Sequence, residues 1–300
     1  MKKTILITGS NGLLGQKLVD LLSKEAGVNL IATARGENRL PNRSGYTYQT
    51  LDITDPQAVE EVFSAYQPQI VIHTAAMTNV DTCETDLAGC EALNVKAVEY
   101  IVQACSKYNT FLCHLSTDFI FDGEAGPYAE DAKPNPISVY GESKLKAEQI
   151  VQASSIRWAI ARTVLVFGIV PDMSRTNIVL WVKKSLEDGK QINVVTDQFR
   201  TPTLAEDLAM GCWLIAQKEA EGIFNISGEE LLTPYEMAIK TAEFFDLPKE
   251  LIKPADSSTF SQPAKRPPRT GFILTKAKNI LGYQPKTFSE GIALMATQIQ

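Results

Sequence analysis

Histidine is almost missing from this chain: His73 and His114 are the two in 300 residues. Both sit inside apolar runs that read as strands, where a hydrogen-bonded core imidazole is the ordinary outcome. Five scattered cysteines without CxxC spacing add no zinc ligand set, so no metal site is expected. The same odd set argues against a disulfide framework and for buried thiols in a reducing compartment. A basic excess is also lacking. The net charge of −6 excludes a broad nucleic-acid surface. No segment approaches the ~20 apolar residues that span a bilayer. The opening "MKKTILITGSNG" has two lysines and a short apolar run, but Thr8, Gly9, Ser10 and Asn11 interrupt it too early for a signal peptide. A cytoplasmic protein is expected.

What the chain does have is alternation. "TILITG" (4–9) reads as a buried strand and Leu14–Ser23 as an amphipathic helix. Strands follow at 29–35, 46–53, 69–76, 111–117 and 158–168. Asp55–Pro56 supplies an N-cap and a first-turn proline for a helix to about Tyr66, and Ala88–Tyr108 reads as one long helix. Strands alternating with helices imply right-handed βαβ units, hence a doubly wound parallel sheet in an α/β protein. The rhythm breaks after Gly168. Helices are expected at 177–186, 204–217 and 233–245, strands at 192–197 and 222–227, and loop over the proline-rich stretch 254–270. The expected organisation is a dinucleotide-binding domain over 1–168, with 198–221 returning to it. Residues 169–197 and 222–300 then form a smaller C-terminal α/β lobe for the substrate.

"GSNGLLG" puts Gly9, Gly12 and Gly15 between the first strand and the first helix. Glycines there allow a tight turn, close approach of a pyrophosphate and close helix–sheet packing, with the helix N-terminus facing the phosphates. Ser10, Asn11, Leu13 and Leu14 belong to the same cofactor-binding turn. The second strand ends in Ala34–Arg35, where an acid would hold the ribose of NAD. A guanidinium instead suits a 2′-phosphate, so Arg35, with Arg39 near it, favours NADPH over NADH. The competing reading makes Arg35 a solvated strand end. Asp52 and Ile53 are placed for the adenine, and Ala75 and Ala76 allow close backbone approach to the cofactor.

Tyr140 and Lys144 lie one helical turn apart in "YGESK", on the face continued by Ala147 and Val151. A lysine cation beside a tyrosine favours the phenolate, which would bring the phenol towards a useful pKa for proton delivery. Thr117 ends the fifth strand at the carboxyl edge, where ligands of open α/β sheets bind, and is the candidate to orient a carbonyl oxygen. Ser116 should point to the other face. Asn94 reads equally as part of a proton relay or as a satisfied buried amide.

Taken in order, GxxGxxG, Thr117 and YxxxK resemble an extended short-chain dehydrogenase/reductase. "AAMTNVDTCE" (75–84), "STDFIFDG" (116–123), "RTVLVFG" (162–168), "DQFRTPT" (197–203) and, more loosely, "KRPPRTGF" (265–272) are similar to the dTDP-4-dehydrorhamnose reductase branch. The resemblance implies a Rossmann-type fold and NADPH-dependent reduction of a 4-keto sugar on a nucleotide diphosphate. Thr117, Tyr140 and Lys144 would be catalytic, with Lys144 also on the cofactor. Thr78, Val80, Thr117, Tyr140, Leu165, Arg200 and Arg266 would meet the substrate. The expected partner is a small-molecule nucleotide sugar, with no nucleic acid, no membrane, and a homodimer left open. Val164–Leu165 and Arg200 depart from that branch's pattern, which bears on the sugar. Lys265 and Arg269 read as diphosphate cations or as an exposed basic loop.

Two rivals stand beside this reading. A dehydratase would carry a second carboxylate after Asp118, where this chain has Phe119, and an epimerase would keep an acid at the second strand's end. A non-catalytic regulatory subunit, like that of methionine adenosyltransferase, resembles the same branch.

Overall fold

The computed structural model describes residues 2–173 and 176–299. Its strands in chain order are β1 (Lys3–Thr8), β2 (Val28–Ala34), β3 (Thr47–Thr50), β4 (Ile70–His73), β5 (Phe111–Thr117), β6 (Trp158–Thr163), β7 (Val166–Phe167), β8 (Ile192–Val195), β9 (Thr203–Leu204), β10 (Gly222–Asn225) and β11 (Ile252–Ala255). The α-helices are α1 (Leu13–Leu22), α2 (Pro56–Tyr66), α3 (Val80–Thr85), α4 (Leu87–Glu91), α5 (Ala97–Tyr108), α6 (Val139–Ala153), α7 (Ile178–Glu187), α8 (Ala205–Lys218), α9 (Pro234–Phe244) and α10 (Phe288–Ala296). Among the described residues no helix is long and apolar enough to cross a membrane.

Seven strands form one parallel sheet in the order β10-β6-β5-β4-β1-β2-β3. The strand order turns back beside β1, so β1 and β4 flank the crevice where such sheets take ligands. Apolar side chains cover both faces. Ile5, Ile7, Leu18 and Leu208 pack on one side with α1 and α8. Leu6, Val62, Ile101 and Val151 pack on the other with α2, α5 and α6. Runs buried on both faces explain why these strands are continuous rather than alternating in polarity.

Several expectations are corrected. The strand Gly222–Asn225, assigned to the small lobe, pairs with β6 and is the edge of the large sheet, because Phe224 and Asn225 are buried there. The helix expected from 88 to 108 carries a π-helical turn over Ala92–Lys96, preceded by the unforeseen α3. Within the proline-rich loop, residues 254–255 belong to β11, which pairs with β8. Pro254 is tolerated because a two-stranded sheet leaves each strand an open edge. The third strand stops at Thr50, short of 53, because Asp52 turns back to accept from Thr54. The capping box Thr287–Glu290 opens α10, which also went unforeseen.

A second, smaller core forms around β8 and β11. Val182, Leu186, Ala238 and Ala242 from α7 and α9 pack on them with Ile192 and Ile252. Caps foreseen from sequence are present at Asp55 and Thr233.

Candidate active site

A cleft of about 780 Å³ opens along the carboxyl ends of β1, β2, β4, β5 and β6. At one end is the glycine-rich turn. Gly9 has φ +71°, and a Cβ there would lie 2.9 Å from the Ala75 backbone. A Cβ at Gly15 would lie 2.2 Å from the Gly9 carbonyl oxygen, so glycine is required for α1 to pack this close to β1. Gly12 is the N-cap of α1 and offers no side-chain acceptor to the first-turn amides. Those amides are thereby left to an anion such as a pyrophosphate, which fits a dinucleotide.

Gly9, Asn11, Gly12, Leu13, Leu14, Gly15, Arg35, Asp52, Ile53, Ala75, Ala76 and Lys144 all line the cleft. Ser10 is the exception among the expected cofactor residues. It is fully buried, its amide donating to Thr33 O, and it lies behind the wall. Asn11 does more than sequence suggested. Its amide donates to Glu37 O at 2.8 Å and accepts from Arg39 N at 2.9 Å, stitching the loop after β2 to the glycine turn. Arg35 is exposed at that end, and its charge helps hold Asp52 below the usual carboxylate range, behind the larger effect of hydrogen bonds from Thr54.

Tyr140 and Lys144 project from α6 towards the middle of the cleft, both buried. Ser138 caps this helix through Gly141 N, and Gly141 lets it approach Phe119 O, where a Cβ would lie 2.2 Å away. The Tyr140 phenol and the Thr117 hydroxyl line the same stretch of the cleft. Burial pushes its pKa up, with Thr117 pulling the other way and Asp118 adding to the rise. The expected downward shift from Lys144 is therefore corrected for this arrangement. The Lys144 ammonium faces the strand instead, donating to Leu115 O at 2.7 Å and lying 3.4 Å from His114 Nε2. Burial lowers its own pKa to about 8, while Glu148 pulls upward.

Thr117 caps the short turn after β5, accepting from Phe119 N at 3.3 Å and donating to Asp118 Oδ1 at 3.1 Å. Ser116 borders the cleft, but its hydroxyl is buried away from it, in keeping with the alternation along β5. Asn94 is the satisfied amide: it donates to Met77 O and Ser143 Oγ at 3.0 Å each and accepts from Met77 N. The two imidazoles stack 5.4 Å apart, and burial holds His73 at about 3 and His114 well below the usual value. Both are neutral core groups.

At the far end Thr78, Val80, Leu165 and Arg266 line the wall. Arg266 pairs with Asp81 through two nitrogens at 2.7 and 3.2 Å, an ion pair sequence reading missed. Leu165 adopts φ +32° and is 42% exposed, standing where the cleft meets a smaller apolar cavity of about 450 Å³ that also holds Trp181 and Val194. Arg200 is not on the wall. Its guanidinium is buried beneath the segment 263–271, donating to Pro267 O at 2.6 Å and Phe199 O at 2.7 Å. It cannot reach a ligand there, so the expected substrate contact is corrected. Arg269 donates to Gly126 O and lies over Phe199, and Lys265 is exposed.

Residues 1–300 match the family described as RmlD substrate binding domain. A probable low-salt glycan biosynthesis reductase of Haloferax volcanii is 31% identical, the alignment covering 96% of each chain. Methionine adenosyltransferase 2 subunit beta of Bos taurus is 30% identical over 85% of this chain and 76% of its own. A crystal structure of dTDP-4-dehydrorhamnose reductase from Bacillus anthracis in complex with NADP superposes with a TM-score of 0.85 at 26% identity, covering 100% of both chains.

Proposed function

The chain belongs to the RmlD substrate binding domain family, and on that premise we propose that it is an NADPH-dependent reductase of a nucleotide-diphosphate 4-keto sugar, of the dTDP-4-dehydrorhamnose reductase type and the short-chain dehydrogenase/reductase mechanism. One observation carries the reading: a tyrosine, a hydroxyl partner and a buried lysine share a single cleft with an uncapped glycine-rich helix start. NADPH, when bound, supplies the hydride. The glycine turn cradles its pyrophosphate, and Arg35 at the end of β2 meets the 2′-phosphate. Tyr140 delivers the proton to the ketone oxygen, and Thr117 holds the phenol in line. Lys144, held on Leu115 O at the cleft, is assigned to the cofactor. Thr78, Val80, Leu165 and Arg266 are assigned to the substrate, Arg266 exchanging Asp81 for a phosphate oxygen. The dinucleotide part comprises 1–168, 198–221 and the returning strand at 222–225. The substrate lobe comprises 169–197 and the chain beyond that strand.

The test is NADPH oxidation across nucleotide-linked 4-keto sugars. Turnover with at least one is expected, and Tyr140→Phe should lose it by about a hundredfold or more while still binding NADPH. Undiminished turnover in that variant would remove Tyr140 from the chemistry. The names of the methionine adenosyltransferase relatives favour a second reading, a cofactor-binding regulatory subunit. NADPH binding without turnover of any keto sugar would select it.

A further inference from the structure

Asp118 has no role in the reaction above, yet it is one of the most enclosed carboxylates in the molecule. It is 2% exposed and follows Thr117 directly. Two hydroxyls and one guanidinium converge on it from separate parts of the chain. Thr117 Oγ1 donates to Oδ1 at 3.1 Å, Thr270 Oγ1 donates to Oδ2, and Arg200 Nε lies 4.0 Å from Oδ2. Thr270 is fully buried and Arg200 is 5% exposed. Arg200 in turn holds the carbonyls of Phe199, Pro267 and Pro268. The strap 263–271 is therefore pinned to the residue beside the catalytic hydroxyl. It crosses the cleft wall at Arg266, where Asp81 holds its other end through Ala264 N and the Arg266 guanidinium.

We infer that Asp118 is a positioning residue: it fixes the direction of the Thr117 hydroxyl and couples that direction to the seating of the strap. The Thr117 hydroxyl has one proton. Given to Asp118, that proton leaves the lone pairs of Thr117 for the cleft that Tyr140 also lines, so a phenol that meets Thr117 there must be the donor. A protonated Tyr140 is thereby the form that Thr117 favours, the state a proton donor needs before a ketone arrives. A carboxylate this deep is costly unless hydrogen bonds and an opposite charge offset its burial, and Thr270 of the strap and Arg200 beneath it supply one of each. Seating the strap, which carries Arg266, thus maintains the carboxylate that orients Thr117. The charged or titratable groups facing Asp118 are Arg200 and, from α6, Tyr140, with Arg266 acting on Arg200.

Two variants of the full-length protein test this. Only the kinetic arm rests on the reductase reading. In Asp118→Asn the amide no longer compels the Thr117 proton to point away from Tyr140, and the neighbouring negative charge is gone. Tyr140 should then ionise at lower pH, read by ultraviolet difference titration with Tyr140→Phe as the blank. With a turned-over keto sugar, kcat should fall by about tenfold or more while KM changes little. Thr270→Val keeps the shape but removes one donor, so the carboxylate is protonated at higher pH. The acid limb of kcat should move up, while Tyr140, which ionises only far above that limb, should titrate as in the unaltered protein. An unchanged Tyr140 titration in Asp118→Asn overturns the inference, whether or not any sugar is reduced. An unmoved acid limb in a folded Thr270→Val overturns the coupling to the strap. Should Asp118→Asn fail to fold, the Thr270→Val profile decides alone. Absence of turnover in the unaltered protein would count against the reductase reading, and the titration would then decide the role of Asp118.

Discussion

Lys144 carries its charge in a place that penalises it. The ammonium is 4% exposed, and burial lowers its pKa from 10.5 to about 8 against the upward pull of Glu148. The sign of the consequence follows from proton counting. In the unfolded chain this lysine keeps its proton to about 10.5, whereas in the folded protein it releases it near 8. Between those values the unfolded state binds more protons, so this group makes the fold more stable as pH rises through the window. The full difference is roughly 3 kcal/mol. Urea midpoints measured across that range should climb in the unaltered protein relative to Lys144→Met, and parallel curves would show that the lysine is solvated in the fold. The position makes sense functionally. A lysine whose pKa lies this close to neutrality responds strongly to a phenolate or a ribose hydroxyl brought beside it.

At the scale of elements, the first strand–turn–helix unit is the most constrained. α1 must start close enough to β1 for its amides to face the cleft, and Gly15 sets that distance. Gly15→Ala would drive its Cβ into the Gly9 carbonyl, which backbone cannot evade without moving the helix. A loss of about 1–3 kcal/mol is expected from such overpacking. Thermal melting should show it, and NADPH should bind more weakly because the amides retreat with the helix. A normal melt with normal binding would mean that α1 can slide without cost. The π-helical turn at Ala92–Lys96 is a second element with a purpose visible only in three dimensions. It brings Asn94 round to hold the Met77 backbone beside the cleft and Ser143 on α6.

Across the whole molecule, α6 is locked to the sheet by one buried ion pair. Arg162 on β6 donates from Nε and Nη2 to both oxygens of Glu148 at 2.9 and 2.7 Å, with both side chains at most 2% exposed. Arg162 also donates to Glu130 O and lies over the Phe121 ring. Such a pair adds little net stability over an apolar replacement, but breaking it strands a charge. Glu148→Ala should therefore cost about 3–5 kcal/mol in urea unfolding. Glu148→Ala combined with Arg162→Met should recover much of that loss. A double variant as unstable as the single one would show that packing, not charge, is at stake.

Much was legible in the sequence because its causes are local. The glycine spacing, the caps at Asp55 and Thr233, the strand–helix alternation and the single helical turn between Tyr140 and Lys144 all depend on neighbours a few residues apart. Together these fixed the α/β class, the carboxyl-edge cleft and most of its lining. What the tertiary structure decided depends on partners far along the chain. Arg200 and Arg266 look alike as loop cations, but one is buried under the strap it anchors and the other stands on the cleft wall. Asp118 reads as the residue after a catalytic threonine until Thr270, 152 positions away, is found donating to it. The Tyr140 phenol is likewise shifted up rather than down, because burial outweighs a cation that faces the strand. Local periodicity fixes which elements form. Desolvation and long-range hydrogen bonding, which have no period in sequence, decide which polar groups remain available for chemistry.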